Sequence, residues 1–236
     1  MENSLLKQLR KKADLLLIPS LLRSGQVLAV RTWEPATFVE IDLHLPDMDM
    51  EWESIPYIKF KVDDFTFRDY TPSGWDADKR TCTVFIDTGH NGFGSKWAAG
   101  LQKGDVVNYL KTERTNHAPD PQKWSVGLGD LSGLGHLLAL EQMSRSISHF
   151  TGSVLLNERQ HLRSFRESLD SRLQPIECED EVGDGSLLQW VVEQKFHPDQ
   201  TVFYIVGNNR LVSKLKRSLK ECGFSSSQIK VKGFWG

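Results

Sequence analysis

Near the midpoint of this 236-residue chain the spacing of its apolar residues changes, and one kind of layered sheet cannot accommodate both spacings. Residues 26–31, 38–43, 58–62 and 82–86 alternate apolar with polar side chains, and a further run at 106–110 follows a Gly104-Asp105 turn. A period of two buries one face of each run, and several such runs at short spacing predict an antiparallel barrel or sandwich. Residues 116–122 then bring two prolines and no apolar pattern, the clearest linker signal in the chain.

Beyond that break, strands alternate with helices. The spacing predicts strands at 124–128, 152–156, 201–207 and 229–232, with helices at 134–149, 159–169, 185–195 and 210–222. Gly223 stands where the last helix needs a C-terminal cap. Apolar strands between helices imply a parallel sheet covered on both faces, which binds ligands beyond the carboxyl ends of its strands. Those ends are the turns at Gly129-Asp130 and Gly207-Asn208. The expected organisation is an N-terminal extension over 1–24, a β-barrel over 25–116, a linker over 117–122 and an α/β unit over 123–236.

Charge and cysteine usage narrow the function classes. A net charge of −2 argues against a general nucleic-acid binder. Cys82, Cys178 and Cys222 are widely spaced and read as reduced thiols, which predicts a cytoplasmic protein without a disulfide frame. The seven histidines show no metal-ligand spacing; His136 and His149 fall in one expected helix and read as structural or exposed. No apolar run approaches the roughly 18 residues that a membrane span requires, so no stable insertion is expected. A helix near the N-terminus would gather Leu5, Leu6, Leu9 and Leu16 on one side, either to pack on its own domain or to touch a membrane surface.

Two segments of the first half carry chemistry. In Arg68-Asp69-Tyr70-Thr71-Pro72-Ser73, an extended backbone puts Arg68 and Tyr70 on one face, with Thr71 at the strand end. Tyrosine supplies a stacking surface, threonine a donor and arginine a bidentate phosphate ligand. Taken alone, the segment also reads as an exposed edge strand. His90-Asn91-Gly92-Phe93-Gly94-Ser95-Lys96-Trp97-Ala98 is a glycine-rich turn leading into a short helix, with Ser95 the expected N-cap. Its glycines allow close backbone approach, and the helix start is an anion site. A flat-ring site beside a diphosphate site matches a flavin dinucleotide.

Arg68-x-Tyr70-Thr71-Pro72 resembles the flavin motif of the ferredoxin-reductase-like superfamily. The stretch from His90 to Ala98, followed by Gly104-Asp105, resembles a narrower branch, the siderophore-interacting proteins or ferric-siderophore reductases. Gly129-Asp130-Leu131-Ser132 stands at that family's G-D-E-T segment, Val206-Gly207-Asn208 at its A-G-E segment, and Gly233-Phe234-Trp235-Gly236 at its closing Y-W-R. The resemblance implies an FAD-binding barrel followed by an NAD(P)-binding-like α/β domain. It implies FAD contacts at Arg68, Tyr70, Thr71, His90, Gly94 and Ser95, with Ser132 and Trp235 approaching from the second domain. The implied activity is one-electron reduction of a ferric siderophore, fed by NADH, NADPH or ferredoxin; a non-catalytic flavin-binding protein and a general flavin reductase are the alternatives. Leu131 and Asn208 replace acidic residues of the family, and Asp130 would crowd a diphosphate. The arginine that follows the family's terminal tryptophan has no counterpart, and Lys111 and Arg114 are the expected substitutes at the substrate.

Overall fold

The rhythm of each half is visible in how its strands pair. A computed structural model describes residues 21–156, 158–177 and 184–235, apart from the side chains of Lys111 and Trp235. The expected N-terminal helix and Cys178 lie outside the described residues.

The first half folds into one antiparallel, barrel-like sheet from β1 (Arg23–Trp33), β2 (Phe38–His44), β3 (Pro56–Asp63), β4 (Thr66–Tyr70), β5 (Ser73–Asp76), β6 (Thr81–Asp87) and β7 (Val106–Arg114). Their spatial order is β4-β3-β7-β1-β2-β6-β5. The alternation has the expected consequence: Ile58, Phe60 and Val62 of β3 point inward and pack with Ile41, Leu43, Val84 and Tyr109. A short helix, α1 (Phe93–Gly100), follows β6 and lays Trp97 and Ala98 on this core.

The second half forms a parallel sheet from β8 (Trp124–Asp130), β9 (Phe150–Leu156), β10 (Leu173–Glu177), β11 (Thr201–Asn208) and β12 (Ile229–Trp235), in the order β10-β9-β8-β11-β12. Its helices are α2 (Leu134–Ser144), α3 (Arg159–Ser168), α4 (Asp184–Gln194) and α5 (Asn209–Glu221). β11 is buried on both faces: Phe203 and Ile205 pack with Trp190, Leu211 and Leu215, while Tyr204 and Val206 pack with Leu137 and Leu140. Such two-sided burial is why its sequence reads as a continuous apolar run. At the end of α5, Gly223 adopts φ +94° and closes the helix, as its position predicted.

The halves share a core. Trp33, Phe38 and Phe85 of the first half join Leu134 and Leu137 of α2 and Phe165 of α3 in one apolar cluster. Gln142 of α2 adds a polar stitch, donating to the Trp75 carbonyl (2.9 Å) and accepting from the Trp75 N–H (3.2 Å). The region between the sheets is also packed: His117 is buried, its carbonyl accepts from Ile55 N–H, and the Ala118 carbonyl accepts the Tyr204 hydroxyl at 2.6 Å.

Three sequence expectations need correction. The helix expected over 134–149 ends at Ser144, whose hydroxyl donates to the Leu140 carbonyl at 2.7 Å, and a turn follows. His149 is therefore outside the helix, exposed and stacked on Trp124, while His136 is buried. The edge strands β5 and β10 were not expected. β10 carries Pro175, which an edge strand tolerates because it pairs on one side only.

Candidate functional site

A cavity of about 500 Å³ opens where β4, the start of α1, the start of α2 and the end of β12 converge. That volume lies within the ~300–1,000 Å³ usual for small-ligand sites. Its walls include Arg68, Tyr70, Thr71, His90, Gly94, Ser95 and Ser132, so residues far apart in the chain meet here.

The β4 wall is built by pairing with β3, which sets Tyr70 opposite Ile58 and Arg68 opposite Phe60. Arg68 and Tyr70 face α1 together. A Cβ placed on Gly94 would fall on the Tyr70 hydroxyl and at 3.3 Å from Arg68 Cγ, so a glycine is what lets the helix seat against this strand. The Tyr70 ring lies nearly parallel to Trp97, with an interplanar angle of 11° and centroids 6.0 Å apart. Burial pushes its phenol up to about 12, so the hydroxyl stays a neutral donor at ordinary pH. Arg68 is exposed, donates to the Phe67 carbonyl at 2.8 Å and makes no salt bridge among the described residues.

The α1 wall corrects the role expected of Ser95. Gly92, in extended conformation, is the N-cap, and Ser95 sits inside the first turn with its hydroxyl donating to the Asp87 carbonyl at 2.8 Å. The groups α1 offers an anion are thus its leading backbone N–H groups, which have no intrahelical partner. Asp87 also holds the rim: its carboxylate lies 3.1 Å from His90 Nε2 and accepts the Gly89 N–H.

Sequence reasoning gave no site role to Tyr57, Asp87, His136, Lys232 and Phe234, which also line the cavity. Lys232 stands over the Tyr57 ring, its Nζ 4.9 Å from the centroid. The Tyr57 hydroxyl donates to Glu113 at 2.9 Å, and Lys59 Nζ lies 3.2 Å from the same carboxylate. Arg114 is exposed at the end of β7 and is not among the lining residues; the Lys111 side chain lies outside the described residues. Trp235 ends β12 next to Phe234, its side chain likewise outside the description.

Beneath the cavity lies a buried imidazole pair, with His117 Nδ1 and His136 Nε2 2.8 Å apart. Burial, aided by Lys230 and Lys232, lowers His117 to about 4 even though its ring also hydrogen-bonds Val231 of β12. His136 is held well below the usual histidine value, mainly by burial. Both imidazoles are therefore neutral at pH 7.

Next to this cavity, the carboxyl ends of β8 and β11 lie side by side. Asp130 is 8% exposed there. Its carboxylate accepts the Ser132 N–H and hydroxyl and, across the sheet, the Asn208 N–H at 2.9 Å. Desolvation raises its pKa, opposed by these hydrogen bonds. Gly207 takes φ +127°, and a Cβ on it would meet the Asp130 carboxylate at 2.5–2.8 Å. Among the described residues, no cluster of His, Cys, Asp and Glu has metal-holding geometry, and no helix is long and apolar enough to cross a membrane.

No protein-family model and no curated protein matches this chain. Solved structures do. A siderophore utilization protein from T. fusca is 21% identical with a TM-score of 0.69, over 91% of this chain and 92% of its own. The siderophore-interacting protein from Acinetobacter baumannii is 13% identical with a TM-score of 0.71, over 91% and 90%. A ferredoxin NADP+ reductase from Neisseria gonorrhoeae, solved with bound FAD and NADP, is 16% identical with a TM-score of 0.72, over 90% and 98%. The chain has the ferredoxin-reductase-like fold that these proteins share: an antiparallel barrel-like sheet followed by a parallel α/β sheet.

Proposed function

We propose that this chain is an FAD-dependent reductase that works in the cytoplasm and delivers single electrons to a ferric siderophore. The observation that carries the reading is the convergence, at one cavity, of Arg68, Tyr70, Thr71 and the open start of α1. The residues fit the cofactor: an arginine that makes no salt bridge among the described residues, leading helix N–H groups that have no intrahelical partner, and an aromatic ring seated against Gly94.

Arg68 and the leading N–H groups of α1 would hold the diphosphate, a task suited to bidentate guanidinium contacts and helix-start donors. Tyr70 would lie against the ring system and donate its hydroxyl, with Thr71 beside it. His90, Gly94, Ser95 and Ser132 would complete the walls, and Trp235 would approach from β12. Bound FAD would supply the redox chemistry, taking up an electron pair and releasing single electrons, while the protein orients it. The substrate is Fe(III) in an oxygen-donor chelate; Fe(II), a softer ion, is held less firmly by such ligands, so reduction loosens the complex. Lys232 at the cavity edge is a nearer cation for an anionic chelate than Arg114, and Lys111 completes the basic set proposed for it.

A visible spectrum of the purified protein, with and without added FAD, tests the cofactor; a preparation that stays colourless sinks the proposal. The reaction is tested by mixing the chemically reduced protein anaerobically with a ferric hydroxamate or catecholate and a ferrous chelator. Flavin reoxidation matched by ferrous-chelate colour is the expected result. The second reading is a flavin-binding protein without reductase activity, favoured by the altered Leu131 and Asn208 positions and by the internally satisfied carboxylate of Asp130 beside them, and flavin that the ferric chelate does not reoxidise would support it.

A further inference from the structure

We infer that His136 is a specificity-determining residue of the cavity: its Nδ1 accepts a hydrogen bond from the N–H at N3 of the flavin ring, and His117 beneath it fixes the tautomer that makes this possible. The inference rests on the flavin reading above and adds the ring edge that α2 recognises.

A neutral imidazole carries one N–H, so each nitrogen of the buried pair is either a donor or an acceptor. The hydrogen bond between the His117 ring and the Val231 backbone favours the protonated ring, so the ring donates and the carbonyl accepts. His117 Nδ1 faces His136 Nε2 at 2.8 Å, so the nitrogen that donates to Val231 is Nε2 and Nδ1 is bare. His136 then donates from Nε2, and its own Nδ1 is left as a bare acceptor. That atom is buried without a hydrogen-bond partner among the described residues, in a side chain that is 1% exposed and lines the cavity. Phe234, on the same wall with its ring centroid 6.1 Å away, has no donor to give it.

A buried acceptor left unpaired is destabilising until a donor reaches it. The chain of hydrogen bonds ends on a carbonyl, which holds a proton donor in place and passes no proton on, so the pair orients His136 and does not relay protons from it. The other fixed side-chain acceptors of the cavity are engaged: Asp69 lies against Lys59, and Asp87 against His90 and the Gly89 N–H. Arg68, Lys232 and the neutral Tyr70 hydroxyl are donors, suited to the oxygens of a flavin dinucleotide. The oxidised ring system has a single N–H, at N3, and keeps it on reduction. An acceptor whose tautomer is locked finds a partner in both redox states only there.

The test is titration of the flavin-free, full-length protein with FAD and with 3-methyl-FAD, in which a methyl group replaces that N–H. Wild type should favour FAD by at least about tenfold, the equivalent of one hydrogen bond to an otherwise unpaired buried acceptor. In His136→Phe, which keeps a ring and removes the acceptor, the preference should fall to within about twofold. A role in packing alone, or a clash of the methyl group, would leave the ratio as it is in wild type. His136→Gln, whose amide oxygen accepts, should recover part of the preference. Wild type that binds the two flavins alike overturns the inference, as does an undiminished ratio in His136→Phe. If that variant does not fold, nitrogen-15 NMR of the wild-type imidazoles decides. The expected result is a His136 Nδ1 that carries no proton and whose resonance moves with FAD and not with 3-methyl-FAD; a proton on that nitrogen overturns the inference. Protein that binds neither flavin ends the flavin reading and this inference with it, whereas equal binding of both removes only the role of His136.

Discussion

The cavity beside α1 and the paired carboxyl ends of β8 and β11 are both bordered by glycines and polar groups, and they differ in what those groups touch. At the cavity, the Arg68 guanidinium has no carboxylate partner among the described residues, and Gly94 seats a tyrosine against an open helix start. At the strand ends, Asp130 draws together the N–H groups that follow β8 and end β11, and Gly207 is shaped around that carboxylate. A glycine announces that something comes close. Whether that something is a ligand or the chain itself depends on whether the neighbouring donors are already satisfied.

If that contrast is right, the same kind of truncation has opposite signatures in the two places. Asp130→Ala, which strands several buried donors, should lower unfolding free energy by about 3 kcal/mol; chemical denaturation that shows no change would erase the contrast.

The next effect concerns the ground between the two regions. His117 sits at about 4 in the folded protein, below the usual 6.5, so the folded state binds fewer protons than the unfolded chain across that window. The stability this confers is complete above the ordinary histidine value and is lost as pH falls toward 4, amounting to about 2 kcal/mol by pH 5. His136 acts in the same direction. Urea midpoints at pH 7 and pH 5 should differ accordingly, and replacing both imidazoles by amides should flatten the slope; an equal slope in the double variant would remove the pair from the account.

The smallest expected effect on stability is at the cavity. Arg68→Ala should stay within ~0.5 kcal/mol of wild type, as surface substitutions do, yet weaken FAD retention about tenfold, the loss of one charge-assisted contact. Lys96→Ala, one turn along α1 and exposed, should retain FAD within about twofold. Equal retention in the two variants, measured by absorbance after dialysis, would take the diphosphate away from Arg68.

The parts of the fold that were legible in sequence are those with burial on a regular period. The alternation in β3 and the apolar run of β11 each report how many faces are covered. β5 and β10 stayed hidden because edge strands need neither pattern, and α2 stops short of 149 because its backbone tightens into turns, with the Arg145 N–H on the Gln142 carbonyl and the Ile147 N–H on the Ser144 carbonyl, which apolar spacing does not encode. At the site, Arg68, Tyr70 and Gly94 were legible because they lie in short contiguous segments. Tyr57 and Lys232 were not, since β3 and β12 become neighbours at the cavity only through the packing of the two sheets. Ser95 lines the cavity but is not the N-cap expected of it, because cap position depends on where the backbone turns extended, here at Gly92.

The strand order of the first sheet has a further consequence. β4 and β5 are its two outermost strands, yet only Thr71 and Pro72 separate them in the chain. Three residue steps span at most ~11 Å, so one end of each outer strand is tethered close to the other. Unpaired sheet edges are where copies of a protein add onto one another and begin to aggregate. By turning its two edges toward a common corner, this chain limits its own stickiness through connectivity, before any surface charge is called on to do so.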